Sequence, residues 1–216
     1  MNFLLSYFTS YQLLKMEFEI IEEFVPIVNK GTGAGGANTN FHGKKFEEQT
    51  NNEHRLLQQG FTKCLLNKTK YGYYLEKRID DKRFVFISQN GLKVYMKHFH
   101  DILMFRCPDE AYIIYQDGNP VRTIKILEKK EQNVEGSVID KLWDGPSFKR
   151  EYQIVLGDTF RVEYAYCVSD FLKQKLTSTD QKFVILNQIH MEAGIQILFG
   201  SDEGYFEAFD IWLHSI

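Results

Sequence analysis

The chain of 216 residues has little cysteine and no long apolar run. Its three cysteines, Cys64, Cys107 and Cys167, form no CxxC pair and are odd in number. This pattern argues against a disulfide framework and against a cysteine-based zinc site, and it favours a reducing, cytoplasmic or otherwise intracellular setting. No stretch approaches the roughly 18 consecutive apolar residues that mark a membrane-spanning helix, so we expect no membrane association.

Low-complexity linkers and internal repeats are also lacking. Residues are 44% hydrophobic and 15% aromatic, which is too apolar for a disordered polypeptide. The length permits one large domain or two small ones, with enough chain to bury a sizeable core. We therefore expect a folded chain, and the absence of a linker favours one domain.

The N-terminal segment differs from the rest of the chain. Residues 3–14 (FLLSYFTSYQLL) are apolar, but no basic segment precedes them and no small-residue cleavage site follows. We interpret residues 1–15 as an N-terminal extension and residues 16–216 as the single domain. A start of the natural chain at Met16 and a signal peptide are the alternatives.

Charge is unevenly distributed along the chain. The net charge is −3 overall, but it is −3 over residues 1–29, +7 over 30–106, −1 over 107–150 and −6 over 151–216. A mildly acidic average would argue against a nucleic-acid partner. The basic segment instead favours a surface that faces phosphates, although a solvated lysine-rich surface explains it equally well.

Hydrophobic periodicity predicts an α/β domain with a mixed central β-sheet flanked by helices. The predicted helices span residues 44–60, 134–144, 180–193 and 202–213. The predicted strands span residues 110–115, 121–130, 160–169 and 195–199. A turn at residues 117–120 joins the first two strands into a hairpin.

A second hairpin is predicted over residues 83–97. Two β-rich runs flank Asn90-Gly91 there, a dipeptide typical of tight hairpin turns. On this assignment His98 and His100 share one strand face. With no further histidine or cysteine in a ligand spacing, we interpret them as exposed or hydrogen-bonded residues.

The hairpin formed by residues 110–130 carries the most specific functional signal. Asp109 stands at the start of its first strand, and Glu128 and Lys130 stand at the end of the second. Residues i and i+2 of a strand project to the same face, so Glu128 and Lys130 should lie side by side. The hairpin therefore brings two carboxylates and an ammonium to one end of the sheet.

These residue types suit phosphodiester hydrolysis. Asp109 and Glu128 offer the hard oxygen ligands that Mg²⁺ prefers, and Mg²⁺ also binds phosphate oxygens. The ammonium of Lys130 could position a water molecule or stabilise negative charge in the transition state. An Asp and a Glu-x-Lys at this spacing also occur by chance in a chain with 29 acidic and 26 basic residues.

A glycine-rich segment at residues 31–36 matches the GxGxxG pattern of dinucleotide-binding proteins. That pattern functions where a strand turns tightly into a helix, within a βαβ unit. The residues that follow are poor helix formers, and no βαβ unit is predicted nearby. We therefore favour a flexible loop or a phosphate-backbone contact, and we keep a nucleotide-binding enzyme as an alternative.

The segment PDEAYIIY…TIKILEKKEQNVEGSVIDKLWDGPSFKR resembles the PD-(D/E)xK nuclease superfamily, in particular type II restriction endonucleases. The blocks GTGAGGANTN-x-x-GKKFEE, EKKxQNVEGSV-x-x-KLW and ILFGSDEGYFE also resemble recurring blocks of such enzymes. The similarity extends from about residue 30 to residue 215. PD-(D/E)xK alone is a short motif, and the longer blocks carry the specificity.

The resemblance implies a restriction-endonuclease-like fold, with Asp109 and Glu128 as metal ligands and with Lys130 as the catalytic lysine. It extends to Gln132 as a supporting residue, and it leaves an acid of the first helix, Glu53 or Glu48, as a further candidate for the metal site. Four residues of the basic segment are candidates for contacting DNA: Lys44, Lys45, Asn38 and Asn40. Asparagine can read adenine through two hydrogen bonds, although turn formation explains these asparagines equally well.

The function expected from this resemblance is a type II site-specific deoxyribonuclease. It would use Mg²⁺ to hydrolyse double-stranded DNA, leaving 5′-phosphate ends, inside the cell or as a viral product inside the host. A palindromic site would favour a homodimer, and a companion DNA methyltransferase encoded nearby would fit. The alternatives on the same scaffold are a structure-specific repair or recombination nuclease and a non-catalytic DNA-binding protein.

Overall fold

The computed structural model describes residues 46–134 and 136–215, which form an α/β domain around a mixed β-sheet. Seven strands lie side by side in the order in which they occur along the described chain. They are β1 (Thr62–Leu65), β2 (Tyr73–Ile79), β3 (Lys82–Ser88), β4 (Glu110–Gln116), β5 (Arg122–Lys130), β6 (Phe160–Val168) and β7 (Ile195–Phe199).

Helices cover both faces of this sheet. Besides a helical turn at residues 46–49, the described helices are α1 (Asn52–Gln58), α2 (Gly91–His100), α3 (Val138–Trp143), α4 (Gly145–Leu156), α5 (Asp170–Leu176), α6 (Gln181–Glu192) and α7 (Tyr205–His214), with a 3₁₀ turn at Gly157–Thr159. Buried side chains of α2 to α6 pack on one face, and those of α1 and α7 pack on the other. Two apolar layers therefore enclose the sheet.

The pairing of neighbouring strands changes once across the sheet, from antiparallel to parallel. Strands β1 to β5 pair antiparallel, whereas β5, β6 and β7 pair parallel. One end of the sheet consequently collects the β1–β2 loop, the start of β4 and the C-terminal ends of β5, β6 and β7. We call it the site end, and we call the opposite end, with the β2–β3 and β4–β5 turns, the far end.

Most of the predicted elements are confirmed. The 110–130 hairpin is present, with Ile113 opposite Ile124 in an antiparallel ladder. The strands predicted at 160–169 and 195–199 and the helices predicted at 180–193 and 202–213 correspond to β6, β7, α6 and α7. The mixed sheet flanked by helices is therefore as expected.

The helix predicted over residues 44–60 is interrupted within the described part. Residues 46–49 are helical, and α1 begins only after Asn51, whose side-chain oxygen accepts a hydrogen bond of 2.9 Å from the backbone N–H of Glu53. A side chain that caps a helix in this way competes with continuous helix formation. Gly60 follows α1 with a φ of +87°, which is consistent with its predicted role in ending the helix.

The hairpin predicted at Asn90-Gly91 is wrong, because this dipeptide begins α2. Leu92, Tyr95 and Met96 are all fully buried, a helical spacing that packs α2 against the sheet. A Cβ atom at Gly91 would lie only 2.9 Å from Cγ2 of Ile87, so the close approach of α2 to β3 accounts for the glycine. The helical periodicity of the apolar residues outweighs the turn propensity of the dipeptide.

The assignment of the two histidines to one strand face is wrong for the same reason. His98 and His100 both belong to α2, and His98 is exposed. The Nε2 atom of His100 lies 2.9 Å from the Tyr115 hydroxyl oxygen, at hydrogen-bonding distance. That contact agrees with the interpretation of His100 as a hydrogen-bonded residue.

Within the described residues, no helix combines the length and the apolar character needed to cross a membrane. The predicted boundary between residues 15 and 16 lies outside the described residues. The GxGxxG segment at residues 31–36 lies outside them as well.

Candidate active site

The β4–β5 hairpin places Glu128 and Lys130 side by side at the site end. Both are on β5, and Nζ of Lys130 lies 2.7 Å from Oε2 of Glu128. Their side chains are mostly buried, with exposed fractions of 13% for Glu128 and 18% for Lys130. The predicted alternation of the strand is confirmed at these two positions.

Asp109 joins this pair from the position immediately before β4. Glu110 is opposite Leu127 in the ladder, so Asp109 comes opposite Glu128. The Oδ2 atom of Asp109 accepts a hydrogen bond of 2.7 Å from the backbone N–H of Lys129, which fixes the carboxylate against the end of β5. The structure therefore brings Asp109, Glu128 and Lys130 together.

Burial and two neighbouring charged groups of opposite sign determine the pKa of Glu128. Burial raises the pKa of the Glu128 carboxyl, and the nearby Lys130 ammonium opposes that rise. The negative charge of Asp109 raises the pKa of Glu128 further. Two carboxylates that repel each other in a partly buried setting form a site that a divalent cation would stabilise.

Aromatic and charged side chains enclose Glu128 on the α4 side. Arg106 forms a salt bridge of 2.9 Å with Glu151 of α4, which occupies its guanidinium. Tyr152 and Tyr164 are almost fully buried, and their hydroxyl groups have no hydrogen-bond partner among the described residues. Burial raises the pKa of both hydroxyls, and the charge of Glu128 contributes to the rise.

A second charged network lies on the opposite face of the hairpin. Glu110 and Lys129 pair at 2.6 Å, with side chains only 6% and 8% exposed. Glu110 also accepts hydrogen bonds from Asn52 (2.7 Å) and from the Tyr112 hydroxyl, and Lys129 donates to the carbonyl of Thr50 at 2.7 Å. This network fixes the start of β4 and the end of β5, the two segments that carry the catalytic candidates.

Sequence reasoning missed this network, although the strand alternation contained the signal. If Glu128 and Lys130 occupy one face of β5, Lys129 must occupy the other face. Glu110 follows Asp109 by one residue, so its side chain must lie on the face opposite that of Asp109, which is the face of Lys129. The two charges were therefore predictable as a buried pair once the hairpin was assigned.

Gln132 is close to the motif in sequence but engages the chain around α3. Its side-chain Nε2 donates to the carbonyl of Val134 at 2.5 Å, and its Oε1 accepts from the backbone N–H of Ile139 at 3.1 Å. Its backbone N–H and C=O both bond to the hydroxyl of Ser169. The structure thus gives this residue a role in positioning the loop after β5.

Glu53 lies beside Asp109 in a cleft of about 250 Å³. Its carboxylate accepts hydrogen bonds of 2.8 and 2.9 Å from the Tyr73 hydroxyl. Burial, followed by this contact with Glu53, raises the pKa of Tyr73 to about 12. Glu53 therefore shares this cleft with Asp109, although Glu128 and Lys130 do not line it. Glu48 is exposed on residues 46–49 and is not among the cleft-lining residues.

The carboxylates of the site offer few ligands for a metal ion. Among residues 46–134 and 136–215, no group of three or more His, Cys, Asp or Glu side chains is arranged to hold a metal. Mg²⁺, however, keeps several water ligands and is commonly held by one or two carboxylates. Asp109 and Glu128 satisfy that smaller requirement.

The predicted DNA-contacting residues Asn38, Asn40, Lys44 and Lys45 lie outside the described residues. Comparisons with protein-family models, with curated proteins and with solved structures find no significant match for this chain.

Proposed function

We propose that this protein is a Mg²⁺-dependent endonuclease of the type II restriction kind, acting on double-stranded DNA. The observation that supports this most directly is the meeting of Asp109, Glu128 and Lys130 at one end of a mixed sheet, with Lys130 held 2.7 Å from Glu128. The resemblance of the surrounding sequence to PD-(D/E)xK nucleases supports the same function.

The proposed reaction breaks the P–O3′ bond of a phosphodiester by attack of water on phosphorus, leaving a 5′-phosphate and a 3′-hydroxyl. Asp109 and Glu128 would hold Mg²⁺, which supplies Lewis-acid polarisation of the phosphate when bound. The Lys130 ammonium would stabilise the negative charge that develops on the phosphate oxygens. The hydrogen bond from the Lys129 backbone keeps Asp109 oriented for this role.

A homodimer is the proposed assembly, because cleavage of both strands of a palindrome matches two-fold protein symmetry. A companion DNA methyltransferase would protect the host DNA at the same sequence. Sedimentation of the protein with and without DNA would measure the assembly independently of cleavage.

Cleavage of unmethylated phage DNA in Mg²⁺ tests the proposal. We expect discrete fragments from the wild-type protein and a loss of more than about a hundredfold in rate for Glu128→Gln, Asp109→Asn and Lys130→Met, the scale of losing one stabilising group. Asp158→Asn is the matched control, because it removes an exposed carboxylate from the 3₁₀ turn at the far end.

The outcomes separate the proposal from its alternatives. Duplex binding in Ca²⁺ without cleavage in Mg²⁺ would indicate a DNA-binding protein that lacks catalysis. Preference for branched over linear substrates would indicate a repair or recombination nuclease. Cleavage that persists in all three site variants would exclude this site as the catalytic centre.

A further inference from the structure

The β1–β2 loop, residues 66–72, lies at the site end of the sheet. It joins the end of β1 to the start of β2. Lys70 and Tyr71 of this loop line the same cleft as Asp109, and the Tyr71 carbonyl lies 3.2 Å from the position of a Cβ at Gly91. The loop therefore borders a cleft that contains Asp109, one of the three catalytic candidates.

Hydrogen bonds within the loop hold its shape. The backbone N–H groups of Leu66 and Asn67 both donate to the carbonyl of Gly72, at 2.7 and 3.0 Å. The side-chain oxygen of Asn67 accepts from the backbone N–H of Thr69 at 2.9 Å and from its hydroxyl at 2.5 Å. Because these contacts already order the loop, binding a ligand to it costs less conformational entropy than binding the same ligand to a flexible loop.

The loop carries positive charge and no negative charge. Lys68 and Lys70 are exposed, and residues 66–72 contain neither aspartate nor glutamate. Neither lysine has an ion-pair partner in the described part of the chain, while Nζ of Lys70 lies 4.9 Å from the centroid of the Tyr71 ring. Within the described residues, no carboxylate therefore competes with an anion for either ammonium group.

Three cations beside the catalytic candidates are engaged with carboxylates. Lys129 pairs with Glu110, Lys130 pairs with Glu128, and Arg106 pairs with Glu151. The cleft is also lined by Glu47 and Glu53, which would repel the phosphates of an approaching duplex. Lys70 provides positive charge in the lining of this acidic cleft, and Lys68 lies two residues before it in the same loop.

From these observations, and resting on the proposed function, we infer that Lys68 and Lys70 of the β1–β2 loop bind backbone phosphates of the DNA duplex beside the scissile bond. The loop fixes where the duplex lies against Asp109, and it does not take part in the chemical step. This assigns a phosphate-binding element in addition to the residues expected before residue 46.

The double variant Lys68→Ala/Lys70→Ala tests this inference. The matched control is Lys82→Ala/Arg161→Ala, which removes two positive charges at the far end, where Lys82 is opposite Gln116 and Arg161 is opposite Thr123. Affinity for a short labelled duplex is measured by fluorescence anisotropy in Ca²⁺, over NaCl concentrations from about 50 to 200 mM. Cleavage in Mg²⁺ is measured in parallel.

Each phosphate contact contributes about 0.9 to the slope of log K against log salt concentration. The loop variant should therefore lower that slope by about 1.8 and weaken binding roughly 60-fold at 0.1 M salt, whereas the control should change affinity less than about twofold. The loop variant should have a higher KM for DNA, with kcat at saturating DNA nearly unchanged, because phosphate contacts position the duplex.

Three results would overturn the inference. If the wild-type protein binds and cleaves DNA but the loop variant behaves like the control, the loop assignment fails while the proposed function stands. If kcat falls and KM does not change, the loop acts in the chemical step and not in binding. If the wild-type protein neither binds nor cleaves DNA, both the inference and the proposed function fail.

Discussion

Replacing Glu110 by glutamine should destabilise the protein strongly, because it removes one charge of a buried pair. Glu110 and Lys129 lie 2.6 Å apart with side chains that are 6% and 8% exposed. Glutamine keeps the size of the side chain, but it leaves the Lys129 ammonium buried without a counter-charge. The change therefore isolates the effect of charge from the effect of volume.

Removing one partner of a buried ion pair costs about 3–5 kcal/mol. We expect the lower end, about 3 kcal/mol, because Lys129 also donates to the Thr50 carbonyl and retains that acceptor. For a chain of this size, a loss of about 3 kcal/mol corresponds to a fall in Tm of roughly 6–12 °C. Urea denaturation and thermal melting followed by circular dichroism would measure both quantities.

The double variant Glu110→Gln/Lys129→Met serves as the control. It removes both charges, so it should be more stable than Glu110→Gln alone if the unpaired ammonium causes the loss. A free energy of unfolding for Glu110→Gln within about 0.5 kcal/mol of the wild-type value would refute the reasoning. A double variant less stable than the single one would show that packing, and not charge, dominates at this position.

Two other predictions concern buried groups away from the site. Lys125→Met should lower the free energy of unfolding, measured by urea denaturation, by about 2–4 kcal/mol. The reason is that the fully buried Nζ of Lys125 donates to the carbonyls of Trp212 and Ser215 and pairs with Glu163. An unchanged denaturation midpoint would contradict this prediction. Burial lowers the pKa of the His190 imidazole. Below pH 6.5 the unfolded chain therefore binds more protons than the folded one, and the protein becomes less stable as the pH is lowered. The stability advantage of the wild-type protein over His190→Gln, measured by urea denaturation, should therefore shrink between about pH 7 and pH 5, and a constant difference would exclude His190 as the cause.

Much of the sheet follows from the sequence, because its central strands combine strong hydrophobicity with clear turns. The β4–β5 hairpin could be predicted from its two β-rich runs and the turn between them, and the charged residues Asp109, Glu128 and Lys130 mark its ends. Strands β1 and β2 were missed because charged residues, including Lys63 and Lys77, interrupt their apolar pattern. Helix α4 was missed for a similar reason, since a glycine and a proline begin it and polar residues separate its buried positions.

The candidate site was predictable at Asp109, Glu128 and Lys130 because one hairpin contributes all three residues. The surrounding groups come from distant segments, and only the fold brings them together. Glu53 reaches the cleft from α1, and the β1–β2 loop borders it through the packing of Tyr71 near Gly91. Local sequence patterns contain no information on such long-range contacts.

The contact between Lys125 and the region around Trp212 has a consequence for the order of folding during synthesis. Lys125 lies at the middle of β5, but its buried ammonium bonds carbonyl groups that are 87 and 90 residues later in the chain. While those residues are still within the ribosome, the central strand carries a cation that lacks these two acceptors. The nascent chain therefore completes this part of its core only after α7 has emerged from the ribosome.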